Sequence, residues 1–139
     1  MGSSHHHHHH MQPEHVKERY KNFLNQHVGP DMSVQRCNSE IGPNNRKITL
    51  SGTDNGCKPV NTFILANKRL IKTVCGRAGS PQGNMVRSNQ PFPVVKCVLN
   101  NGERHPYCEY RGTRSTRYIV LKCEEGWPVH YHEDEVNVG

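Results

Sequence analysis

No pair of cysteines in this 139-residue chain is spaced C-x-x-C, which argues against a zinc ribbon or a thioredoxin-like motif. No run approaches the ~20 apolar residues of a membrane span, and no N-x-S/T glycosylation sequon occurs. Hydrophobic residues make up only 32% and aromatics 6%, with a single tryptophan; mean hydropathy is −0.86. Such a chain can bury only a small core, and polarity of this kind alone reads as disorder. No signal peptide is expected within these residues, so export is inferred from cysteine use alone. Met1–His10 (MGSSHHHHHH) is an expression tag and Met11 is assigned with it, so residues 1–11 stay outside the fold argument. Removing these eleven from 139 leaves 128 residues, a length that suits one domain over 12–139.

What the chain does have is six cysteines, Cys37, Cys57, Cys75, Cys97, Cys108 and Cys123. An even count, widely spread in a small polar chain, predicts three disulfides and an oxidising, extracellular compartment. Each bridge contributes ~2–4 kcal/mol, mostly by restricting the unfolded chain, which offsets a thin core. Six cysteines allow 15 pairings, and spacing alone does not choose among them. Eighteen Lys and Arg against twelve Asp and Glu give a net charge of +6. That balance suggests an anionic partner, nucleic acid or an acidic cell surface, against the blander alternative of a merely soluble cationic protein. The cations cluster at Arg46–Lys47, at Lys68–Arg69 with Lys72, and at Arg111, Arg114 and Arg117. Acid gathers late, at Glu124–Glu125 and Glu133–Asp134–Glu135.

Periodicity predicts an α+β fold with helices first and antiparallel strands later. In EHVKERYKNFLNQH (14–27), Val16, Tyr20, Phe23, Leu24 and His27 fall on one helical face. Gly29–Pro30 ends that helix, and Asp31 is expected to cap a second one carrying Val34, Cys37 and Ile41. A polar loop with a short strand near Ile48–Leu50 is expected next, then a strand through CKPVNTFIL and a helix over 67–75. The Gly-, Pro- and Asn-rich stretch 76–93 reads as a long exposed loop. Strands are then expected at 94–99, turning at Asn100-Asn101-Gly102, at 107–112, at 117–123 and at 127–132.

The stretch CKPVNTF (57–63) holds a lysine between a cysteine and a proline. Cys57 anchors the backbone on one side and Pro59 biases Lys58 towards an extended conformation. Alternation then places Lys58, Val60 and Thr62 on one face and Asn61 and Phe63 on the other. A lysine is usually a solvated surface charge; this one is held. His27 closes the apolar face of the first helix, where the plainer alternative is a histidine packed at the core edge. His130 and His132 share a strand face, and a His-x-His pair with His105 is a weak zinc pattern. No metal and no cofactor are expected. Two imidazoles of pKa ~6.5 can work as a base and an acid near neutral pH, each step contributing ~10²–10⁴-fold. A fixed cation stabilises the charge that develops between them. In a basic protein the natural electrophile is a phosphodiester, and RNA brings its own nucleophile in the 2′-hydroxyl.

The pieces RYKNFLNQH (19–27), CKPVNTFI (57–64), NKRLIKTVC (67–75), CEYRG (108–112) and PVHY (128–131) together resemble the pancreatic-type ribonucleases, the ribonuclease A-like superfamily, and its angiogenin-like members above all. The resemblance covers about Tyr20 to His132 and implies a bent antiparallel sheet behind N-terminal helices. It implies a secreted, metal-independent endoribonuclease that cleaves on the 3′ side of pyrimidines through a 2′,3′-cyclic phosphate, with weak catalysis. His27 is then the general base, His130 the general acid and Lys58 the transition-state cation. Gln26 contacts the phosphate, Thr62 hydrogen-bonds the base, Asn61 supports the pocket and Tyr131 packs against the base. The implied disulfides are Cys37–Cys97, Cys57–Cys108 and Cys75–Cys123. The alternatives are a cationic host-defence protein acting on bacterial membranes and an angiogenin-like ligand of a cell-surface receptor, both partly independent of catalysis. The chain is expected to be a monomer. It departs from the family at His132, where an aspartate usually orients the catalytic acid.

Overall fold

The computed structural model describes residues 12–50, 56–100 and 107–133. Helix α1 spans Glu14–His27 and buries Val16, Phe23 and His27, the face that the spacing predicts. A 3-10 turn, Val34–Arg36, leads into α2, Cys37–Ile41. The expected cap at Asp31 does not form; its backbone carbonyl instead accepts from Arg36. Ile48 is buried but belongs to no strand, so the short strand expected near Ile48–Leu50 is absent.

Strand β1 is Val60–Ile64, and its last four residues are buried. Helix α3, Lys68–Lys72, is capped by the Asn67 side chain, which accepts from the Leu70 backbone N–H, and continues into the 3-10 turn Thr73–Cys75. The stretch expected as a long loop is largely a hairpin, β2 (Gly79–Gln82) and β3 (Met85–Ser88). Its Gly and Pro content masked a pairing held from outside: β3 pairs with β6, and the buried Ser88 hydroxyl accepts from the Ile119 N–H. Then follow β4 (Phe92–Leu99), β5 (Tyr110–Arg117), β6 (Val120–Glu124) and β7 (Trp127–Tyr131). The strands expected at 107–112 and 117–123 are divided differently, with the break at Tyr118–Ile119. The turn residues Asn101 and Gly102, with His105, Asp134 and Glu135, lie outside the described residues.

Two antiparallel sheets result, one ordered β1-β4-β5 and the other β2-β3-β6-β7. The first sheet is covered on both faces. Ile64 and Val94 join Phe23, Ile71 and Leu121 in one core cluster, whereas Phe63 and Val95 join Ile41, Cys97 and Tyr110 in another. This is why β1 reads as a continuous buried run rather than an alternating one. Fully burying each such side chain stabilises by ~1.5–3 kcal/mol. Close approach completes the second cluster. A Cβ at Gly112 would sit 2.7 Å from the Val34 carbonyl and 2.9 Å from Cys37 Sγ, so only glycine lets β5 pass there.

The three disulfides are Cys37–Cys97, Cys57–Cys108 and Cys75–Cys123, the pairing that the resemblance implies. Each joins elements more than forty residues apart in sequence. Cys57–Cys108 ties the residue before Lys58 to the approach of β5.

Candidate active site

The last turn of α1, the start of β1 and the end of β7 converge. Arg19, Asn22, Phe23, Gln26 and His27 from α1 and Val129 and His130 from β7 line a cleft of about 210 Å³. Arg46 fixes the α1 side: it donates to the Asn25 and Val28 carbonyls at 2.8 Å and to the Glu40 carboxylate at 2.7 Å. Its guanidinium also lies 5.0 Å from the Phe63 ring centroid. Arg46, which the sequence places in a basic cluster with Lys47, is therefore a brace for the helix end that carries Gln26 and His27.

His27 is 5% exposed. Its Nδ1–H donates to the Thr62 carbonyl at 2.8 Å, which leaves Nε2 as the ring's proton acceptor. Tyr131 stacks on the imidazole at a centroid distance of 5.2 Å, and Phe23 packs at 5.5 Å. Burial, then the Lys58 charge, push the His27 pKa down to about 3, against a raising contribution from the Thr62 hydrogen bond. The ring is thus a neutral base across the physiological range.

Lys58 precedes β1 and does not follow its alternation. Its ammonium donates to Asn61 Oδ1 at 2.8 Å and to Gln26 Oε1 at 3.2 Å, so it meets Asn61 and not the Thr62 face expected from period two. Asn61, fully buried, donates in turn to the Gln26 carbonyl at 2.8 Å. The Lys58 carbonyl accepts from the Tyr110 hydroxyl at 2.7 Å. Burial, acting on the Tyr110 phenol, pushes its pKa up to about 12 despite that hydrogen bond, so it stays a donor. Burial lowers the Lys58 pKa and the Glu133 carboxylate counteracts it. Neither the Tyr110 tether nor the Arg46 brace has a sequence signature of its own; both depend on residues brought in from other elements.

His130 is exposed on β7. Its pKa is lowered by burial on its inner side, then by His132, Lys58, Lys122 and Arg19. Among the described residues no carboxylate hydrogen-bonds His130. Glu133, three residues beyond His130, is engaged elsewhere. Its two carboxylate oxygens accept from the Thr62 backbone N–H at 3.0 Å and from the Thr62 hydroxyl at 2.7 Å.

A cleft that pairs a buried imidazole with an exposed one, beside a caged ammonium, has the groups that acid–base chemistry needs. Comparison with known proteins narrows that chemistry. The family model described as "Pancreatic ribonuclease" matches residues 18–132. "Ribonuclease-like 3" of Danio rerio is 44% identical over 125 residues, covering 88% of this chain and 83% of the relative. "Angiogenin-4" of Mus musculus is 41% identical over 124 residues, covering 86% and 81%. Among solved structures, "The X-ray structure of zebrafish RNase5" superimposes with a TM-score of 0.84 at 56% identity, covering 89% of this chain and all of that one. The chain belongs to the pancreatic ribonuclease family and is an angiogenin-like endoribonuclease, whose substrate is RNA.

Proposed function

We propose that this enzyme cleaves single-stranded RNA on the 3′ side of pyrimidines, by transphosphorylation without a metal, and that its own C-terminal segment restrains it. His27 Nε2 takes the proton of the 2′-hydroxyl as that oxygen attacks phosphorus. The P–O5′ bond breaks, and His130 gives its proton to the departing 5′-oxygen. A 2′,3′-cyclic phosphate and a free 5′-hydroxyl result, with one proton taken and one given. Lys58 and Gln26 stabilise the phosphoryl oxygens as charge grows on them. Tyr131, stacked on His27, holds the base ring in place, and Asn61 holds Lys58.

The observation that carries this reading is Thr62. Its carbonyl fixes the His27 tautomer, while its N–H and hydroxyl form a pair of donors already engaged by one planar acceptor group, the Glu133 carboxylate. A pyrimidine presents the matching edge: O2 accepts from the N–H, and N3 accepts from the hydroxyl in cytosine or donates to it in uracil. A purine is too large to bring that edge as close. In the free enzyme the Glu133 carboxylate offers two acceptors to the same pair of donors, so it stands where O2 and N3 would bind and must leave first. The three disulfides support an extracellular site of action.

The test is cleavage of a pyrimidine–purine and a purine–purine dinucleotide, each with and without EDTA. Selective, chelator-insensitive cleavage of the first, through a cyclic phosphate, is expected. Equal cleavage of both, or loss with EDTA, would defeat the proposal.

A further inference from the structure

A second surface joins α1, α3 and β7 outside the cleft. Gln12, Tyr20, Lys68, Arg69, Lys72 and Trp127 line a groove of about 440 Å³. The Tyr20 and Trp127 rings meet edge to face, with centroids 4.9 Å apart. The Lys72 ammonium lies 4.3 Å from the Trp127 ring centroid. Among the described residues Lys68, Arg69 and Lys72 form no ion pair, and the buried Gln12 Nε2 has no hydrogen-bond partner. Arg36 and Arg46, by contrast, both pair with Glu40, and Arg19 with Glu124.

A helix face of solvated charges, with a lysine stem resting on an aromatic ring, is the plainer account. Two features exceed it. Three uncompensated cations flank two aromatic rings, the combination that holds a single-stranded nucleic acid by its phosphates and base faces together. The groove is also built on the same two elements as the cleft, α1 and β7. Arg19, which lines the cleft, precedes Tyr20 on α1, and Val129, which also lines it, lies two residues beyond Trp127 on β7. Along β7, Trp127 and His130 are separated by ~10 Å of strand, within reach of neighbouring nucleotides on one RNA.

The geometry points to an exosite here for the single-stranded RNA that flanks the scissile bond. Lys68 and Arg69 hold phosphates. Lys72 swings from the indole face to a phosphate oxygen as a base takes its place on Trp127, and the Gln12 amide donates to the strand. This inference rests on RNA being the substrate, and it adds a determinant of substrate length to the cleavage chemistry.

Trp127 is the chain's only tryptophan, so its fluorescence reports on this groove directly. The intact protein is titrated with a single-stranded deoxyoligonucleotide, which lacks the 2′-hydroxyl and survives, at several salt concentrations. Quenching of Trp127 is expected, with an affinity that falls with salt. In the triple variant Lys68→Ala/Arg69→Ala/Lys72→Ala, the log–log salt slope should shrink by about 2, because each phosphate no longer neutralised takes ~0.7 from it. The same variant should cleave a dinucleotide as wild type does, and a long RNA about tenfold less efficiently in kcat/KM. Tm measured alongside excludes a folding defect. Wild-type failure on the dinucleotide would defeat the ribonuclease reading itself. Equal activity of variant and wild type on long RNA, with wild-type salt dependence, would overturn the exosite alone. Quenching of the same depth by a base-free sulfated polysaccharide would also overturn it, since that would mark a surface that reads charge without bases.

Discussion

The two imidazoles of the cleft are held in opposite ways. His27 is buried, stacked on Tyr131 and hydrogen-bonded to Thr62, on a helix end braced by Arg46. Lys58 beside it is caged by Asn61 and Gln26 and tethered through its carbonyl to Tyr110. His130 is exposed, has no carboxylate orienter among the described residues and stands three residues from Glu133, which spans to Thr62 instead. The base side is preorganised and the acid side is not. Because catalytic groups act within a few tenths of an ångström of productive geometry, the proposed mechanism expects the loosely held side to limit the rate, and the proposed restraint assigns access to the segment beyond it.

Breaking the ordered half has the largest consequence. Lys58→Ala should lower kcat/KM by ~10²–10³-fold, since it removes a preorganised charge aimed at the phosphoryl oxygens. Asn61, losing its ammonium partner, keeps its bond to the Gln26 carbonyl, so the fold should survive. Steady-state kinetics and thermal unfolding on one preparation check both statements. Near wild-type turnover would remove Lys58 from the mechanism.

Acidity separates the halves more finely. Below the cleft's optimum the base must remain unprotonated, and the His27 pKa of about 3 allows that well into acid. Above it the acid must keep its proton, and the His130 pKa is lowered from 6.5. The kcat/KM profile should therefore be bell-shaped with its maximum below pH 6.5, and its limbs belong to the pair rather than to either ring. Stability follows His27 with the opposite emphasis. Its folded pKa lies below its unfolded one, so the unfolded chain binds the proton first; the stabilisation is complete above pH 6.5 and is lost as pH falls towards 3. Tm measured across that window should decline with acid. A flat Tm, or activity still rising at pH 9, would contradict the assigned environments.

The smallest effect is expected where the family's aspartate is missing. His132→Asp places an acceptor two residues from His130, and it should raise kcat/KM by a few-fold by restoring an orienter of the imidazole. Pre-steady-state turnover of a dinucleotide would resolve a change of that size. An unchanged rate would show that strand β7 alone orients His130 adequately.

Much of this was legible in the sequence. The apolar spacing of α1 marks its buried face and Gly29–Pro30 its end, the 67–75 periodicity marks the helical segment that leads to Cys75, and the CKPVNTF stretch marks the site. The rest depended on partners that no local pattern contains. The β2–β3 hairpin is stabilised by β6, against its own Gly and Pro content. Lys58 left the strand face because its partners, Gln26 and Asn61, come from α1 and from the opposite face of β1. Arg46 reads only as part of a basic cluster because Glu40 and two helix-end carbonyls engage it only in three dimensions. The acidic run at 133–135 carries no local pattern that assigns Glu133 to Thr62, a contact made across 71 residues of sequence.

The Thr62 N–H and hydroxyl, the proposed base-reading donors, are occupied by the chain's own carboxylate, and the restraint proposed for this enzyme rests on that occupation. Glu133→Ala, assayed by kcat/KM on a pyrimidine–purine dinucleotide at low and high salt, tests it most directly. Two hydrogen bonds that must break before substrate binds are worth ~0.5–1.5 kcal/mol each, so the variant should be about tenfold faster. Its advantage should narrow as salt screens the repulsion between Glu133 and the RNA backbone in the wild type. A variant no faster than wild type at either salt concentration would show that the Glu133–Thr62 contact does not restrain the enzyme.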